Sequence, residues 1–479
     1  MRRVSTNAVP TSAEAVIARV SLPEEMRAGD LGDARLNARR TRLMQVLEQR
    51  PDAGFPEACG SESETEALYR FLRNERVSLP AVIEPHLAAT AARCHAVGEV
   101  LVIHDTTEVS FGGEAARTGL TRQSARRQGF GVHVALAVSS DTLHLPLGLL
   151  AVTTLVRSPQ RRAGGPRPDK ESQRWDAGVR ATRRRCDAAV AAIHVMDREG
   201  DSYQLFADLM ARGDRFIVRL QHDRRVIAPG GASGDTLGAA LPRTTWCAER
   251  QVAVSARPVG DRSPKSQRQQ PPRTSRVATL RFAAHPMIFQ RPPRVGRRAA
   301  ATVPVNVVYG WEADAPAGAT PIDWRLVTSE PIETVDHVLR IVDHYRARWL
   351  VEEFFKALKT GCAYEKRQLE RLETLLVALG LLAPIAWQIL LLRHLARDLP
   401  DTPATSVLTR PQLEVLRALP QAAGLSPTPT VLDVLAVVAR LGGHLRQNGP
   451  PGWLVLTRGM QTLRAMEIGW AAAHRVAAM

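Results

Sequence analysis

The sequence predicts a mixed α/β fold, with helices packed on a sheet, a β insertion and a helical region at each end. Three observations predict it. Apolar positions recur every three or four residues before residue 80 and again beyond Leu399, which is typical of amphipathic helices. From Gly98 the period changes to two in β-rich runs. The order of three strands, helix, strand, helix, strand then fits helices on a mixed sheet.

Length and charge narrow the class of protein. The chain of 479 residues is long enough for several domains, and a hydrophobic content of 44% argues against global disorder. A formal net charge of +16 indicates a polyanionic partner, and nucleic acid fits better than a membrane because no targeting signal accompanies the charge. Five cysteines without a CxxC pair predict neither a disulfide framework nor a zinc site, and they favour a reducing cytoplasm.

Residues 24 to about 80 are predicted to be helical, with Ser63 and Glu66 as a capping box for one helix. Basic side chains lie along these helices. They are candidates for contacts with DNA phosphates, although a basic helix is equally typical of a solvated surface. The candidates are Arg35, Arg39, Arg40, Arg42, Arg70 and Arg73.

The central region predicts a sheet with two acidic positions at strand ends. A short strand at 100–103 is expected to end at Asp105, and strands at 133–138 and 143–156 complete an antiparallel meander. A further strand, AAIHVM, ends at Asp197, and another follows at 216–220 after a helix. Because ligand-binding groups gather at the carboxyl ends of strands in such folds, Asp105 and Asp197 are expected to meet.

Residues 226 to about 320 predict an antiparallel β insertion, with a Pro/Arg/Ser-rich tip at 257–276. A strand around Trp324 follows. The uncharged run at 374–392 is long enough to span a membrane, but Pro384 and Gln388 favour a buried core helix; hydropathy leaves insertion open.

The stretch at 343–361 carries polar side chains at helical spacing. If it is one helix, a single stripe holds Tyr345, Arg348, Glu352, Lys356 and Lys359. The opposite side, with Val351, Phe354, Phe355 and Leu358, is expected to pack against a core. Spacing alone also allows a solvated face with a Glu352–Lys356 pair worth about 0.3–0.5 kcal/mol.

Together these segments resemble the DDE transposases of bacterial insertion sequences, specifically the IS-four group, which includes the Tn-five transposase. IHDTTEVSF holds Asp105 where that group has its first Asp, and VMDREGDSY holds Asp197 where it has its second. Tyr345, Arg348, Glu352 and Lys359 match its Y-(2)-R-(3)-E-(6)-K signature. Segments such as LGDARLNARRTRL, DKESQRW and DWRLVTSEP are similar in the same order, so the resemblance covers about residues 30 to 445.

The resemblance implies an RNase H-like catalytic core at 83–398, interrupted by the β insertion. It also implies an N-terminal helical DNA-binding domain at 1–82 and a C-terminal helical dimerisation domain at 399–479. The implied reaction is cut-and-paste transposition: water nicks one strand at a transposon end, the freed 3′-OH forms a hairpin, a second water opens it, and the 3′-OH attacks target DNA.

The resemblance also implies the parts of the site. Asp105, Asp197 and Glu352 would hold two Mg²⁺ ions, with Mn²⁺ as a substitute, and no organic cofactor. Phosphates would be held by Tyr345, Arg348, Lys356 and Lys359, and Trp324 would stack on a flipped base. The implied partners are double-stranded DNA, as transposon ends and target, and a second copy of the chain in the DNA complex. A bacterial cytoplasmic protein associated with the nucleoid, and not with a membrane, is expected.

Two residues depart from the family pattern, and two alternative functions remain open. Leu350 stands where the family often has a cation, and Phe355 replaces a polar neighbour of Lys356. The first alternative is a metal-dependent nuclease of the same fold that does not transpose. The second is a catalytically inactive DNA-binding relic, which would act as an inhibitor of an active partner.

Overall fold

The computed structural model describes residues 21–113, 116–124, 127–156, 173–227, 235–241, 245–254, 273–445 and 451–477, with Ala256 and Gln447 between them. These residues form two compact units. One contains the residues up to Ala191 together with those from Trp349 onward, and the other contains Ala192–Arg348. Most of the expected insertion tip at 257–276 lies outside the described residues.

The first unit begins with five helices: α1 (Leu22–Arg27), α2 (Ala34–Gln49), α3 (Phe55–Cys59), α4 (Glu62–Leu72) and α5 (Leu79–Val97). The Asp33 side chain caps α2 by accepting hydrogen bonds from the first backbone N–H groups of that helix. Ser61 caps α4 by accepting from the N–H of Glu64. The predicted capping box at Ser63 and Glu66 is therefore wrong, because Ser61 and Glu64 offer the same spacing two residues earlier.

The strands of the first unit are β1 (Glu99–Gly112), β2 (Thr121–Ser124), β3 (Arg127–Ser139) and β4 (Pro146–Leu155). β3 pairs antiparallel with β1, β2 and β4, so the predicted meander is confirmed. The prediction that the first strand ends at Asp105 is wrong. β1 continues to Gly112 because Val109 and Phe111 are buried and extend the alternating pattern. Helix α6 (Gln173–Arg185) then packs on β3 and β4.

The second unit starts with a parallel pair of strands, β5 (Ala191–Met196) and β6 (Arg215–Arg219), joined through helix α7 (Tyr203–Arg212). β5 and β6 are short and are buried at consecutive positions, which is typical of strands covered on both faces. Asp197 follows β5 directly, as the sequence predicted.

The rest of the second unit is mostly antiparallel. It contains β7 (Arg225–Ile227), β8 (Asp235–Thr236), α8 (Leu237–Ala240), β9 (Ala248–Val254), β10 (Arg276–Gln290), β11 (Thr302–Glu312), β12 (Asp323–Thr328) and α9 (Val335–Ala347). β10 pairs antiparallel with β7, β9 and β11, and β12 lies between β11 and β6. The antiparallel character predicted for this region is confirmed.

The first unit resumes with α10 (Trp349–Lys356), a π-helical turn (Ala357–Gly361), α11 (Leu372–Asp398), α12 (Arg410–Arg417), α13 (Val431–Leu441) and α14 (Trp453–Ala477). The single helix predicted at 343–361 is therefore wrong. α9 ends because the Arg348 N–H donates to the Tyr345 carbonyl, three residues back instead of four. The turn Ala357–Gly361 is π-helical because the Cys362 N–H donates to the Ala357 carbonyl, five residues back instead of four.

α11 is the apolar helix expected from the uncharged run. By length and hydropathy it could cross a membrane, yet 83% of its most apolar window is buried inside the protein. It packs on α5 and β4, and the Trp387 indole N–H donates to the Pro146 carbonyl at 3.0 Å. This burial agrees with the predicted core helix.

Candidate functional site

Asp105 lies in the middle of β1, opposite Val134 of β3, and is half-buried. Its Oδ1 accepts the N–H of Thr106 at 2.7 Å. Because side chains alternate along a strand, Asp105 faces away from His104 and Thr106. A strand interior holds this carboxylate on a rigid element, which a catalytic carboxylate requires.

On the opposite face of β1, polar side chains are linked to one another by hydrogen bonds. Arg174 Nε donates to Thr106 Oγ1 at 2.8 Å, and the Thr106 hydroxyl lies 2.9 Å from His133 Nδ1. Since Arg174 can only donate, the hydroxyl hydrogen is available for His133. Burial lowers the pKa of His133 well below its usual range, and the charges of His104 and Arg174 lower it further. His133 is thus a neutral packing group.

Glu352 lies half-buried on α10, and α10 packs against β1 in the same unit. The predicted apolar back of this stretch is confirmed, since Val351, Phe354 and Leu358 are fully buried. Leu350 and Phe355, the two departures from the family pattern, are also buried and pack in the core. The elements that carry Asp105 and Glu352 are therefore brought together.

Two lysines follow Glu352. Lys356 is exposed, and its Nζ lies 5.1 Å from the centre of the Trp349 ring. Lys359 donates to the Glu108 carbonyl of β1 at 2.5 Å, which ties the π-helical turn to that strand. Sequence reasoning gave no role to Trp349, which is 51% exposed; its position next to Arg348 was the available signal.

In the second unit, Asp197 caps the short 3₁₀ turn Arg198–Gly200, and its Oδ1 accepts the Glu199 N–H at 2.9 Å. Partial burial lowers the pKa of the neighbouring Arg198, as does the charge of Arg219, while Asp197 acts in the opposite direction. Sequence reasoning missed these two neighbouring arginines, of which Arg198 directly follows the carboxylate. The Arg of the DRE segment was the signal for one of them.

Trp324 and Tyr345 are in contact within the second unit. Their rings meet edge to face, with centroids 6.0 Å apart. Tyr345 is buried on α9 and Trp324 is half-buried on β12. Arg348 follows as the C-terminal cap of α9 and is also half-buried. Two predicted site residues from different elements, β12 and α9, are thus in contact.

Five of the six N-terminal arginines lie at least partly at the surface. Arg35, Arg42, Arg70 and Arg73 are exposed, and Arg39 is half-buried in an ion pair with Glu64 at 2.9 Å. The expectation that Arg40 contacts DNA is not met. Its guanidinium is fully buried and donates to the carbonyls of Met26, Gly29 and Ala81, so Arg40 organises the chain between α1 and α2.

Three carboxylates supply hard oxygen ligands, which suit a divalent cation such as Mg²⁺. Asp105 and Glu352 belong to the first unit, and Asp197 belongs to the second with Tyr345, Arg348 and Trp324. Within the part of the chain that the structure describes, no group of three or more His, Cys, Asp or Glu side chains is arranged to hold a metal ion. The donor chemistry of the three carboxylates therefore fits the ion.

Comparison with known families accounts for most of these features. A family described as "Transposase DNA-binding" matches residues 21–77, and one described as "Transposase DDE domain" matches residues 97–387, more than half of the chain. The mixed α/β architecture is consistent with an RNase H-like DDE domain flanked by helical regions. Such domains bind DNA, cleave it and transfer strands, and generally use divalent metal ions. The chain therefore belongs to the DDE transposases and is a DNA transposase.

Proposed function

We propose that the protein moves an insertion sequence of the IS-four group by cut-and-paste transposition. It nicks one strand at each transposon end, forms and opens a hairpin, and joins the freed 3′ end to target DNA. The observation that carries this proposal is the packing of α10, with Glu352, against β1, with Asp105. These two of the three motif carboxylates therefore lie on rigid elements of the same unit.

Asp105, Asp197 and Glu352 would hold two Mg²⁺ ions, with Mn²⁺ as a substitute. Their oxygen donors support this proposal, together with the match of each residue to the family motif. When bound, such ions stabilise charge on the attacking and leaving oxygens of phosphoryl transfer. Ionised carboxylates are required for this role, and no organic cofactor is involved.

The cationic side chains would position DNA phosphates around the three carboxylates. Lys356 is exposed, and Arg348 and Lys359 are half-buried, so each can exchange its present contacts for phosphate oxygens. Tyr345 would donate through its hydroxyl, and Trp324, which meets Tyr345 edge to face, would stack on a flipped base. Phosphate contacts of this type position the DNA without reading its sequence.

The remaining assignments concern organisation and partners. The DNA-binding domain would occupy 1–82, the catalytic domain 83–398 and the dimerisation domain 399–479. Arg35, Arg39, Arg42, Arg70 and Arg73 would contact the terminal inverted repeats, and two copies of the chain would pair two transposon ends. The protein would act in the bacterial cytoplasm, in association with the nucleoid and without a membrane.

The test is cleavage of DNA that carries the terminal inverted repeats of the element. With Mg²⁺ the wild-type protein should cut this DNA, and Glu352→Gln, which keeps the shape of the side chain, should abolish cutting while binding persists. Glu333→Gln, at a well-exposed carboxylate in the turn before α9, is the matched control and should cut normally.

The products separate this proposal from its alternatives. Joined products of transposon and target support transposition, whereas cutting without joining would indicate a nuclease. Tight binding of the ends without any metal-dependent cutting would indicate an inactive relic. Cutting by Glu352→Gln at the wild-type rate would remove Glu352 from the mechanism.

A further inference from the structure

The connection between β10 and β11 carries a group of exposed arginines. We call residues 291–301, RPPRVGRRAAA, the arginine turn. Three of its side chains point into solvent: Arg294, Arg297 and Arg298. None of the three forms an ion pair with a residue that the structure describes.

Three arginines on or beside the neighbouring strands are instead paired with carboxylates. Arg276 is paired with Glu312 at 2.7 Å, Arg281 with Glu249 at 2.9 Å, and Arg250 with Asp343 at 2.5 Å. These three strand arginines are therefore compensated, while the turn concentrates three positive charges without a carboxylate partner among the described residues. Such a site attracts an anion with closely spaced charges.

The backbone of the arginine turn is fixed by hydrogen bonds. The Arg291 N–H donates to the Ala301 carbonyl at 2.9 Å, and its guanidinium donates to the Ala299 carbonyl at 2.6 Å and the Arg297 carbonyl at 3.1 Å. From α7, the Tyr203 hydroxyl donates to the Ala300 carbonyl at 2.9 Å. Two successive prolines restrict the backbone further. Binding here would order side chains only, which lowers its entropic cost.

We propose that the arginine turn is a contact for the phosphate backbone of duplex DNA, made by Arg294, Arg297 and Arg298. Guanidinium groups match phosphate oxygens in charge and geometry, and a duplex presents phosphates at a spacing that several side chains on one turn can follow. The proposal rests on the DNA-transposase function. It adds a contact in the β insertion to the contacts proposed for the N-terminal arginines and for the signature residues.

The test is the salt dependence of DNA binding by the triple variant Arg294→Ala, Arg297→Ala, Arg298→Ala. Two short duplexes serve as probes, one from a terminal repeat of the element and one of unrelated sequence. Each lost phosphate contact lowers the slope of log K against log salt by about 0.9, so the slope should fall by about 2–3. Binding at moderate salt should weaken at least about tenfold.

The matched control replaces the same three arginines with lysine, which keeps the charge at every position. It should retain most of the wild-type slope. Circular dichroism and thermal unfolding of both variants establish that the fold is intact.

The outcomes are distinct. A reduced slope on either duplex supports the contact and shows whether it serves the transposon end, other DNA or both. An unchanged slope on both duplexes overturns the proposal. The proposal also fails if the lysine variant loses as much of the slope as the alanine variant, because the loss would then come from a changed turn and not from the removed charge. Metal-dependent cutting by the wild-type protein is scored separately, so failure of the catalytic proposal remains distinguishable.

Discussion

Replacing Arg93 with Met should loosen helix α1 from the rest of its unit. Arg93 on α5 donates to Glu25 of α1 at 2.5 Å and to the Leu147 carbonyl at 2.6 Å, and both charged side chains are less than 10% exposed. His86 completes the group, with its Nδ1 2.8 Å from Glu25. Because the Leu149 N–H donates to His86 Nε2, the Nδ1 carries the proton and donates to Glu25.

Removing one partner of a buried ion pair leaves the other charge uncompensated, which costs about 3–5 kcal/mol. At about 1.4 kcal/mol per factor of ten, Arg93→Met should speed hydrogen exchange of the α1 amides by about a hundredfold to a few thousandfold when α1 opens locally. Glu25→Gln should also be costly, because the buried Arg93 charge loses its partner and the amide NH2 group must face a donor from His86 or Arg93. The double variant should recover part of the loss, because no buried charge is then unpaired.

The matched control is Arg185→Met. Arg185 on α6 makes two hydrogen bonds to Glu84, also on α5, at 2.7 and 2.6 Å, but Glu84 is 52% exposed. A pair open to solvent is worth about 1 kcal/mol or less, so exchange in α1 should stay near the wild-type rate. Equal effects of Arg93→Met and Arg185→Met would refute the argument from burial.

Three further outcomes are expected. The folded-state pKa of His133 is depressed, so between that pKa and 6.5 the unfolded chain binds more protons than the folded chain. The free energy of unfolding should therefore fall as the pH drops below 6.5. Urea unfolding at several pH values should show a smaller fall in His133→Phe. Gly178→Ala would bring a methyl group 2.7 Å from His104 Nδ1, and calorimetry should show a loss of about 1–3 kcal/mol, whereas an unchanged midpoint would mean that α6 can move away. Arg40→Met should lower thermal stability by several degrees without changing the salt slope of DNA binding, because its guanidinium caps buried carbonyls; a changed slope would return Arg40 to the DNA contacts.

The sequence predicted well those features that depend on local periodicity. Alternating apolar residues located the meander, and the apolar back of α10 followed from the spacing of Val351, Phe354 and Leu358. The uncharged run was correctly placed in the core as α11, because Pro384 and Gln388 suit a helix covered by protein.

Features decided by tertiary contacts were not predictable in this way. The extension of β1 past Asp105 depends on seven further aligned pairs with β3, and the break at Arg348 depends on a single shifted hydrogen bond. The burial of Arg40 needs three carbonyls from different segments, which no pattern in α2 reveals. Charge patterns alone cannot distinguish such an arginine from one that faces DNA.

The burial of α11 has a consequence for synthesis on the ribosome. Its partners α5 and β4 are made long before it, while the whole of the second unit is translated in between. The early part of the first unit must therefore wait with an uncovered apolar surface, because the helix that covers it has not yet emerged. We expect truncated chains that stop before Leu372 to aggregate, even though they contain every residue of the second unit.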